Sequence, residues 1–300
     1  MSIAALGECS TAETSPLSLS AETKERQLRD WFADHAPVLI AFSGGVDSSY
    51  LSFIAHQELG DRALSVTAIS PSFPQDQHQE IDRMVADWKL YHRWIHTQEM
   101  EREQYRSNPV NRCYFCKNEL FTHLIEIARE QEFTTICDGN NADDRDDYRP
   151  GMQAGRELGV RSPLIEAGLT KAEIRERSRV WKLPTAEKPA SPCLSSRIPY
   201  GMPVTIQKLS AIERGERAIR ELGFSVVRLR HHGDIARIEI SAPELPRALD
   251  PVMAQHLVAV LKPLGFTYIA LDLEGFRSGA LNATLPFAPK PDTSQPLNDD

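Results

Sequence analysis

Short apolar runs alternate with amphipathic segments along the first half of the chain. An aliphatic run occupies positions 38–40, further strand-like stretches occupy 63–70, 91–96 and 134–137, and helical patterns cover 20–35, 75–89 and 118–130. Short continuous apolar runs are typical of strands buried on both faces of a sheet. Strands that alternate with helices of this length predict right-handed βαβ crossovers, and therefore an α/β fold with a parallel, doubly wound sheet. Ser20 is the expected cap of the first helix.

The pattern changes after about residue 185. Positions 188–203 are too rich in proline and glycine for a regular element, so they predict an ordered linker loop between two domains. The pattern then predicts a helix over 205–222, strands over 226–230 and 236–241, a helix over 251–262 and a strand over 267–273. The chain is thereby divided into a disordered leader (1–19), a large first domain (20–187), the linker (188–203), a small α+β domain (204–276) and a disordered tail (277–300).

A glycine-containing loop follows the apolar run at 38–40. After Ala41 and Phe42, residues 43–49 read Ser-Gly-Gly-Val-Asp-Ser-Ser and lead into a helix. Glycine lets the backbone approach a phosphate closely, and free amides at a helix N-terminus donate to anions. The lysine of a Walker loop and the third glycine of a dinucleotide fingerprint are both missing. The pattern predicts an ATP pyrophosphate site, and a strand–turn–helix corner without a ligand is the alternative.

The loop resembles that of the PP-loop ATP pyrophosphatases, which cleave ATP between the α and β phosphates and adenylate an oxygen of the substrate. The resemblance implies that the first large domain is of this type and that Ser43, Gly44, Gly45 and Ser48 hold ATP. Asp47 is a candidate helper for Mg²⁺, with helix capping as the alternative. Ligands gather at the carboxyl ends of parallel strands, so further candidate nucleotide contacts follow there: Ala41, Ile69, Gly139 and Asn140.

Composition narrows the class of protein. The 300 residues carry 34 basic and 42 acidic side chains and a net charge of −8, which argues against a nucleic-acid partner. The polar N-terminus lacks the features of a signal peptide, and no apolar run approaches membrane-spanning length. We therefore expect a soluble, cytoplasmic protein with no membrane partner. Five cysteines, an odd number, favour metal-binding or catalytic thiols over a disulfide framework.

Three of the cysteines are candidates for one site. Cys113 and Cys116 are close enough in sequence to share a metal or a cluster edge, and Cys193 lies in the linker that returns to the sheet. The alternatives are a zinc clip completed by His123 or Glu119, and two unrelated buried thiols. Cys137 ends a buried strand and is interpreted as a core residue, and Cys9 as incidental.

Several motifs together resemble the LarE family, ATP-dependent sulfur transferases that make the nickel-pincer nucleotide. They lie at 111–117, 138–144, 147–151, 191–197 and 227–232, and read NRCYFCK, DGNNADD, DYRPG, SPCLSSR and VRLRHH. The similarity covers roughly residues 20–276. It implies adenylation of the carboxylates of pyridinium-3,5-biscarboxylic acid mononucleotide, followed by attack of sulfur to give thiocarboxylates. It also implies a small-molecule nucleotide substrate, a separate sulfide source and a homo-oligomer.

Two sulfur strategies occur in that family. In one, a cysteine that corresponds to Cys193 gives up its own sulfur, and such proteins lack the cysteine pair. In the other, three cysteines hold a 4Fe-4S cluster whose open iron binds an extra sulfide. Because Cys113 and Cys116 are present, the chain resembles the second type, in which Cys113, Cys116 and Cys193 are the cluster ligands and sulfur is delivered catalytically.

The substrate carries a phosphate and two carboxylates, which the planar fork of arginine recognises well. Arg228 and Arg230 alternate on a predicted strand and project to one face, so they are candidate phosphate ligands; a solvated sheet face is the alternative. Ser196 and Arg197, beside Cys193, are further substrate-binding candidates. Glu216 is another candidate, although an exposed helical glutamate is the commoner outcome. The acidic run at 143–147 is interpreted as a solvated loop.

Two other classes of protein remain as rivals. One is a different PP-loop enzyme, a tRNA thiolase or an amidase, although the acidic balance argues against the first and the three thiols against the second. The other is an ATP-binding regulator with a structural zinc and no turnover.

Overall fold

The computed structural model describes residues 20–145, 150–189 and 191–277. The predicted disordered leader, most of the predicted tail, Cys9, Asp146 and Asp147 lie outside these ranges. The helices are α1 (Ala21–His35), α2 (Val46–Leu59), α3 (Gln75–Trp88), α4 (Glu103–Arg106), α5 (Arg112–Glu130), α6 (Pro150–Glu157), α7 (Pro163–Glu166), α8 (Lys171–Val180), α9 (Ile206–Glu221), α10 (Leu245–Ala248) and α11 (Pro251–Leu261). The strands are β1 (Val38–Ala41), β2 (Ala63–Ile69), β3 (His92–His96), β4 (Thr135–Cys137), β5 (Val227–His232), β6 (Ile235–Ile240) and β7 (Tyr268–Leu271).

The first four strands form one parallel sheet in the order β3-β2-β1-β4. Strand β1 lies in the interior of this sheet, and all four of its residues are buried. A chain that must cross over between parallel strands needs an intervening helix, and α2, α3 and α5 fill that role. The predicted α/β fold with a parallel sheet is confirmed.

Alternate residues of β1 supply two cores, one on each face of the sheet. Val38 and Ile40 pack with side chains of α1, α2, α7 and α8. Leu39 and Ala41 point to the opposite face, where they pack with side chains of α5. Successive strand residues point to opposite faces, so four aliphatic residues hold helices on both sides and fix where the loop after Ala41 emerges.

The helix boundaries agree with the sequence patterns at most places, but the start of α5 differs. Ser20 caps α1 by accepting a hydrogen bond from the Thr23 amide, as predicted. Helix α5 begins at Arg112, whereas the pattern predicted a start near residue 118. Both cysteines of the close pair therefore lie in its first turns. No helix within the described ranges is long and apolar enough to cross a membrane.

The C-terminal part contains a second, three-stranded sheet in the order β5-β6-β7, with β5 and β6 antiparallel and β6 and β7 parallel. Helices α9 and α11 cover it with a separate core that includes Ile219, Leu229 and Leu261. This is the α+β arrangement that the pattern predicts for this part. The boundary positions of the domains stay predictions.

Gly215 marks the closest approach between α9 and the second sheet. A Cβ atom there would contact the end of Leu229 and lie 3.1 Å from Leu261 Cδ2 and 3.3 Å from Leu264 Cδ1. Close-packed cores tolerate added volume poorly.

We expect Gly215→Val to lower the free energy of unfolding by about 1–3 kcal/mol, because three leucines must move. Arg217→Val on the exposed side of the same helix is the control, with an expected change within about 0.5 kcal/mol. Urea unfolding followed by circular dichroism measures both. Equal stabilities for the two variants would show that the contact is not tight.

Candidate functional site

The loop after β1 contains two glycines with different roles. Gly44 adopts φ +67°, and a Cβ atom there would lie only 2.7 Å from Ile81 Cγ1. Gly45 is extended, with φ −80° and ψ 167°, and a Cβ atom would meet only Ser43 Oγ at 3.5 Å. Gly44 is therefore required by the turn itself. Gly45 keeps the space beside the loop open.

Serine hydroxyls and the end of β4 complete the loop's surroundings. Ser43 and Ser48 share a hydrogen bond of 3.0 Å between their hydroxyls, and Ser48 Oγ also accepts from the Ser43 amide at 3.2 Å. A Cβ atom on Gly139 would lie 3.0 Å from the Ser48 amide nitrogen. The end of β4 thus packs directly against the start of α2.

Asn140 lies beside the loop and borders a cavity of about 200 Å³. Its amide group donates to Asp138 Oδ2 at 2.5 Å, and Ser162 donates to Asp138 Oδ1 at 2.7 Å. Burial raises the pKa of Asp138, and hydrogen bonds from the Ser162 hydroxyl and the Asn140 backbone amide oppose that rise. Ala41 and Ile69 end β1 and β2 at the same edge of the sheet. Four of the predicted nucleotide contacts therefore share the edge from which the loop emerges.

Asp47 lies in the first turn of α2 and has one free oxygen. Its Oδ2 accepts a hydrogen bond of 2.6 Å from Lys171 Nζ, whereas Oδ1 is buried and has no hydrogen-bond partner among the described residues. No side chain caps this helix. The capping alternative is therefore not what the structure contains. Carboxylate oxygens are ligands that Mg²⁺ prefers, and this buried oxygen lies beside the glycine loop without a hydrogen-bond partner among the described residues.

The linker runs across the carboxyl edge of the sheet. Lys188 Nζ donates to the Gly44 carbonyl at 3.0 Å, and Gln77 Nε2 donates to Ser191 Oγ at 2.5 Å. The Leu194 amide then donates to the Ser72 carbonyl, just after β2, at 2.9 Å. One segment thus connects the glycine loop with the region around Cys193.

Three buried side chains, Tyr105, Asn108 and Arg112, hold the linker against α5, and we call them the linker clamp. The Asn108 amide group donates to the carbonyls of Ile198, Pro199 and Met202 at 3.3, 2.8 and 2.9 Å. Arg112 Nη1 donates to Asn108 Oδ1 at 2.6 Å and to the Ser195 carbonyl at 2.9 Å. The Tyr105 and Ser195 hydroxyls are 2.7 Å apart. Asn108 is fully buried, so these bonds are made out of contact with water.

The linker clamp brings Cys193 near the cysteine pair of α5. Burial raises the pKa of Cys116, and negative charges on Glu99 and Cys193 raise it further. Desolvation by neighbouring atoms also raises the pKa of Cys113, although the residue is exposed; positive Arg112 opposes the rise and negative Cys193 adds to it. The Ser195 carbonyl, two residues after Cys193, accepts a hydrogen bond from Arg112, the residue before Cys113, so the linker and the cysteine pair meet at the start of α5. As they stand, no three potential metal ligands in the described part of the chain are grouped closely enough to hold an ion.

Thiols are the donor type that an iron–sulfur cluster uses, and two of the candidates lie on α5 and the third on the linker. The residues of the zinc alternative are engaged elsewhere. Glu119 is buried and forms an ion pair with Arg102, and it lies 3.2 Å from His123 Nε2. Cys137 is fully buried in the first core, in agreement with its interpretation as a core residue.

Arg197 and Glu216 form a buried ion pair behind Cys193. Arg197 Nε donates to Glu216 Oε1 at 2.8 Å, and the two side chains are only 2% and 1% exposed. Arg197 Nη1 donates to the carbonyls of Pro192 and Cys193 at 2.5 and 3.0 Å. The commoner outcome of an exposed helical glutamate is therefore wrong for Glu216. The pair joins α9 to the backbone of the linker and so fixes the position of Cys193.

Arg228 and Arg230 are also buried, which excludes the solvated sheet face. Arg230 forms a two-point ion pair with Glu239, at 2.9 and 2.7 Å, and Nη1 donates to the Ser196 carbonyl at 2.9 Å. Burial and, to a smaller extent, the positive charge of Arg197 lower the pKa of Arg228 to about 10. A bound anion would offset this cost by favouring the charged guanidinium.

Sequence patterns missed the linker clamp, Lys171 and Lys188. Asn108 and Tyr105 carry no motif, and their role depends on contacts some 90 positions away. One missed element, helix α8, could have been predicted from the sequence. Thr170 and Glu173 form a capping box at the start of α8, and the Thr-x-x-Glu spacing predicts such a start. That spacing would have placed Lys171 in a first helical turn.

Comparison with known proteins gives several relatives over nearly the whole chain. No protein-family model matches. An uncharacterized protein of Synechocystis is 41% identical over 264 residues, which are 88% of this chain and 98% of that protein. The pyridinium-3,5-bisthiocarboxylic acid mononucleotide synthase of Lactiplantibacillus plantarum is 33% identical over 264 residues, 88% of this chain and 95% of that protein. A glutamine-hydrolyzing GMP synthase component of Archaeoglobus fulgidus is 24% identical over 220 residues, 67% of this chain and 69% of that protein.

The buried ion pair behind Cys193 gives a stability prediction. We expect Glu216→Ala to lower the free energy of unfolding by about 3–5 kcal/mol, because Arg197 would keep a buried charge without its carboxylate. Glu221→Ala, on an exposed position of the same helix, should change it by no more than about 0.5 kcal/mol. Denaturant unfolding of both variants tests this. A Glu216→Ala protein as stable as the control would show that the pair is not desolvated.

Proposed function

The chain belongs to the family of pyridinium-3,5-bisthiocarboxylic acid mononucleotide synthases, and we propose that it is an ATP-dependent sulfur transferase in nickel-pincer nucleotide synthesis. Its substrate would be pyridinium-3,5-biscarboxylic acid mononucleotide, whose carboxylates become thiocarboxylates. The protein would work in the cytoplasm as a homo-oligomer, with a separate source of sulfide. This is the LarE activity that the sequence motifs imply.

One observation carries the proposal. The linker contacts the glycine loop through Lys188, and its Ser195 carbonyl, two residues after Cys193, accepts a hydrogen bond from Arg112, the residue before Cys113. Activation by ATP and delivery of sulfur must act on one carboxyl group, so their residues must share a site. A single clamped segment that touches both supports a common site.

The loop would bind and orient ATP. Gly44 makes the turn, Gly45 leaves room for the phosphate chain, and the hydroxyls of Ser43 and Ser48 would donate to it. The backbone of Ala41, Ile69, Gly139 and Asn140 lies at the same edge and would contact the rest of the nucleotide. Asp47 would hold Mg²⁺, the counter-charge for the phosphates. A substrate carboxylate oxygen would attack the α-phosphorus, giving an acyl adenylate and releasing pyrophosphate.

Cys113, Cys116 and Cys193 would hold a 4Fe-4S cluster, which when bound supplies sulfide as the nucleophile without consuming a cysteine. Arg112 is the neighbour of Cys113, and its positive charge would favour the deprotonated form of that thiol. Sulfur attack on the acyl carbon releases AMP, which is a far better leaving group than the oxide of a free carboxylate. The alternative is that Cys193 gives up its own sulfur.

The arginines would bind the substrate from the second sheet. Arg228 is buried and its charge is opposed by neighbouring arginines, so an anionic phosphate or carboxylate suits it. Arg230 would act beside it. Ser196 would donate to a carboxylate, and Arg197 and Glu216 would fix the linker backbone that carries Cys193 and Ser196.

Gly45→Val tests the ATP site. The extended backbone at this position accepts a β-branched residue, so the fold should remain, while the added side chain should obstruct the phosphate chain. We expect AMP formation to fall about a hundredfold or more, with iron content unchanged. Thr134→Val, at the amino end of β4, is the matched control and should leave AMP formation intact. Normal AMP release by Gly45→Val would remove the loop from the active site.

Single alanine substitutions test the shared cysteine site. We expect Cys113→Ala, Cys116→Ala and Cys193→Ala each to lose the brown chromophore and most of the iron of anaerobically purified protein, because each removes one ligand. Cys137→Ala, in the first core, should retain both. Retention of iron and labile sulfide by all three single variants would refute joint ligation. Zinc without iron in the wild type would instead favour an ATP-binding regulator.

A further inference from the structure

The glycine loop has no lysine of its own, yet the fold brings Lys188 to its backbone. Lys188 lies more than 140 positions further along the chain, and its ammonium donates to the Gly44 carbonyl at 3.0 Å. The same group donates to Glu80 Oε2 on α3 at 2.5 Å. The Lys188 side chain is 16% exposed and that of Glu80 is 50% exposed. A nearly buried cation thus lies against the backbone of the phosphate-type loop.

The backbone around Lys188 is held from the opposite side. Arg175 on α8 donates to the carbonyls of Ala186 and Lys188, the latter at 2.9 Å. The Lys188 amide donates to the Thr185 carbonyl at 3.0 Å. The segment is therefore fixed before the side chain reaches the loop. Contacts with α8 and with Thr185 hold this backbone in addition to the ion pair with Glu80.

We propose that Lys188 binds the pyrophosphate half of ATP and supplies the cation that the loop motif lacks; this rests on the proposed function of the site. Lysine acts on phosphate as a compact point charge with rotatable donors. Its present partner is a half-exposed carboxylate, and such surface pairs are weak. A polyphosphate carries more negative charge than one carboxylate, so ATP would displace Glu80 from the ammonium. Lys188 is thus a phosphate-binding residue supplied by the same linker that carries Cys193.

The test compares binding of inorganic pyrophosphate, ATP and AMP, each with Mg²⁺, by isothermal titration calorimetry on the full chain. Lys188→Met should weaken pyrophosphate and ATP binding about tenfold or more, the scale of a lost hydrogen bond to a charged group. AMP lacks the outer phosphates, so its affinity should change less than about twofold. Lys188→Arg should restore most of the pyrophosphate affinity, because it keeps the charge.

Two further variants separate binding from structural support. Lys24 pairs with Glu173 on α8 at 2.7 Å, away from the loop, so Lys24→Met is a matched control and should bind all three ligands as the wild type does. Glu80→Gln frees Lys188 from its competing carboxylate and should tighten pyrophosphate binding. If Lys188 only anchored the linker, Glu80→Gln would instead bind pyrophosphate more weakly than the wild type.

The outcomes distinguish this inference from the proposed function. A wild type that binds neither ATP nor pyrophosphate would overturn the proposed function itself. A wild type that binds both, together with a Lys188→Met protein of equal affinity, would overturn only the role of Lys188. Equal losses for AMP and pyrophosphate in Lys188→Met would also overturn it, because they would indicate a distorted loop.

Discussion

The structure of the candidate site depends on a small buried hydrogen-bond network, the linker clamp. Without this network, the proline-rich segment that carries Cys193 would have few hydrogen bonds to hold it, since proline has no backbone N–H to donate. The Asn108 amide group donates hydrogen bonds to linker carbonyls that lie outside any helix or strand. Arg112 donates both to Asn108 and to the Ser195 carbonyl. A buried polar group destabilises the fold when it has no hydrogen-bond partner, and it favours one arrangement of the chain when it has one. The network therefore selects one path for the linker and one position for Cys193.

The parallel sheet supplies the second constraint. Its central strand holds helices on both faces, and the loops at its carboxyl edge are left to bind ligands. The glycine loop, the end of β4 and the linker meet at that edge. Arg197 of the linker, Glu216 of α9, and Arg228 and Arg230 of β5 add a buried charged layer. Electrostatic interactions are strong in such a layer because water is largely excluded from it.

Sequence patterns predicted those parts that local physics determines. The aliphatic runs gave the parallel sheet, and the glycines gave the loop after β1. Features that depend on contacts between distant parts of the sequence could not be predicted. Nothing local distinguishes Glu216, buried against Arg197, from a solvated glutamate on an amphipathic helix. Helix α5 begins six residues earlier than its apolar period suggests, because its first turn packs on the linker instead of on the first core. The motifs had already pointed to the cysteines, whereas the hydrogen bonds that hold the linker against α5 became visible only in the fold.

The central claim is that three cysteines act as one sulfur-delivery site beside ATP. Anaerobic turnover with the pyridinium dicarboxylate mononucleotide, ATP, Mg²⁺ and sulfide, followed by mass spectrometry of product and protein, measures it most directly. The account predicts several thiocarboxylates per chain, one AMP for each, and an unchanged protein mass. A single product per chain, with a protein lighter by the mass of one H₂S, would contradict it.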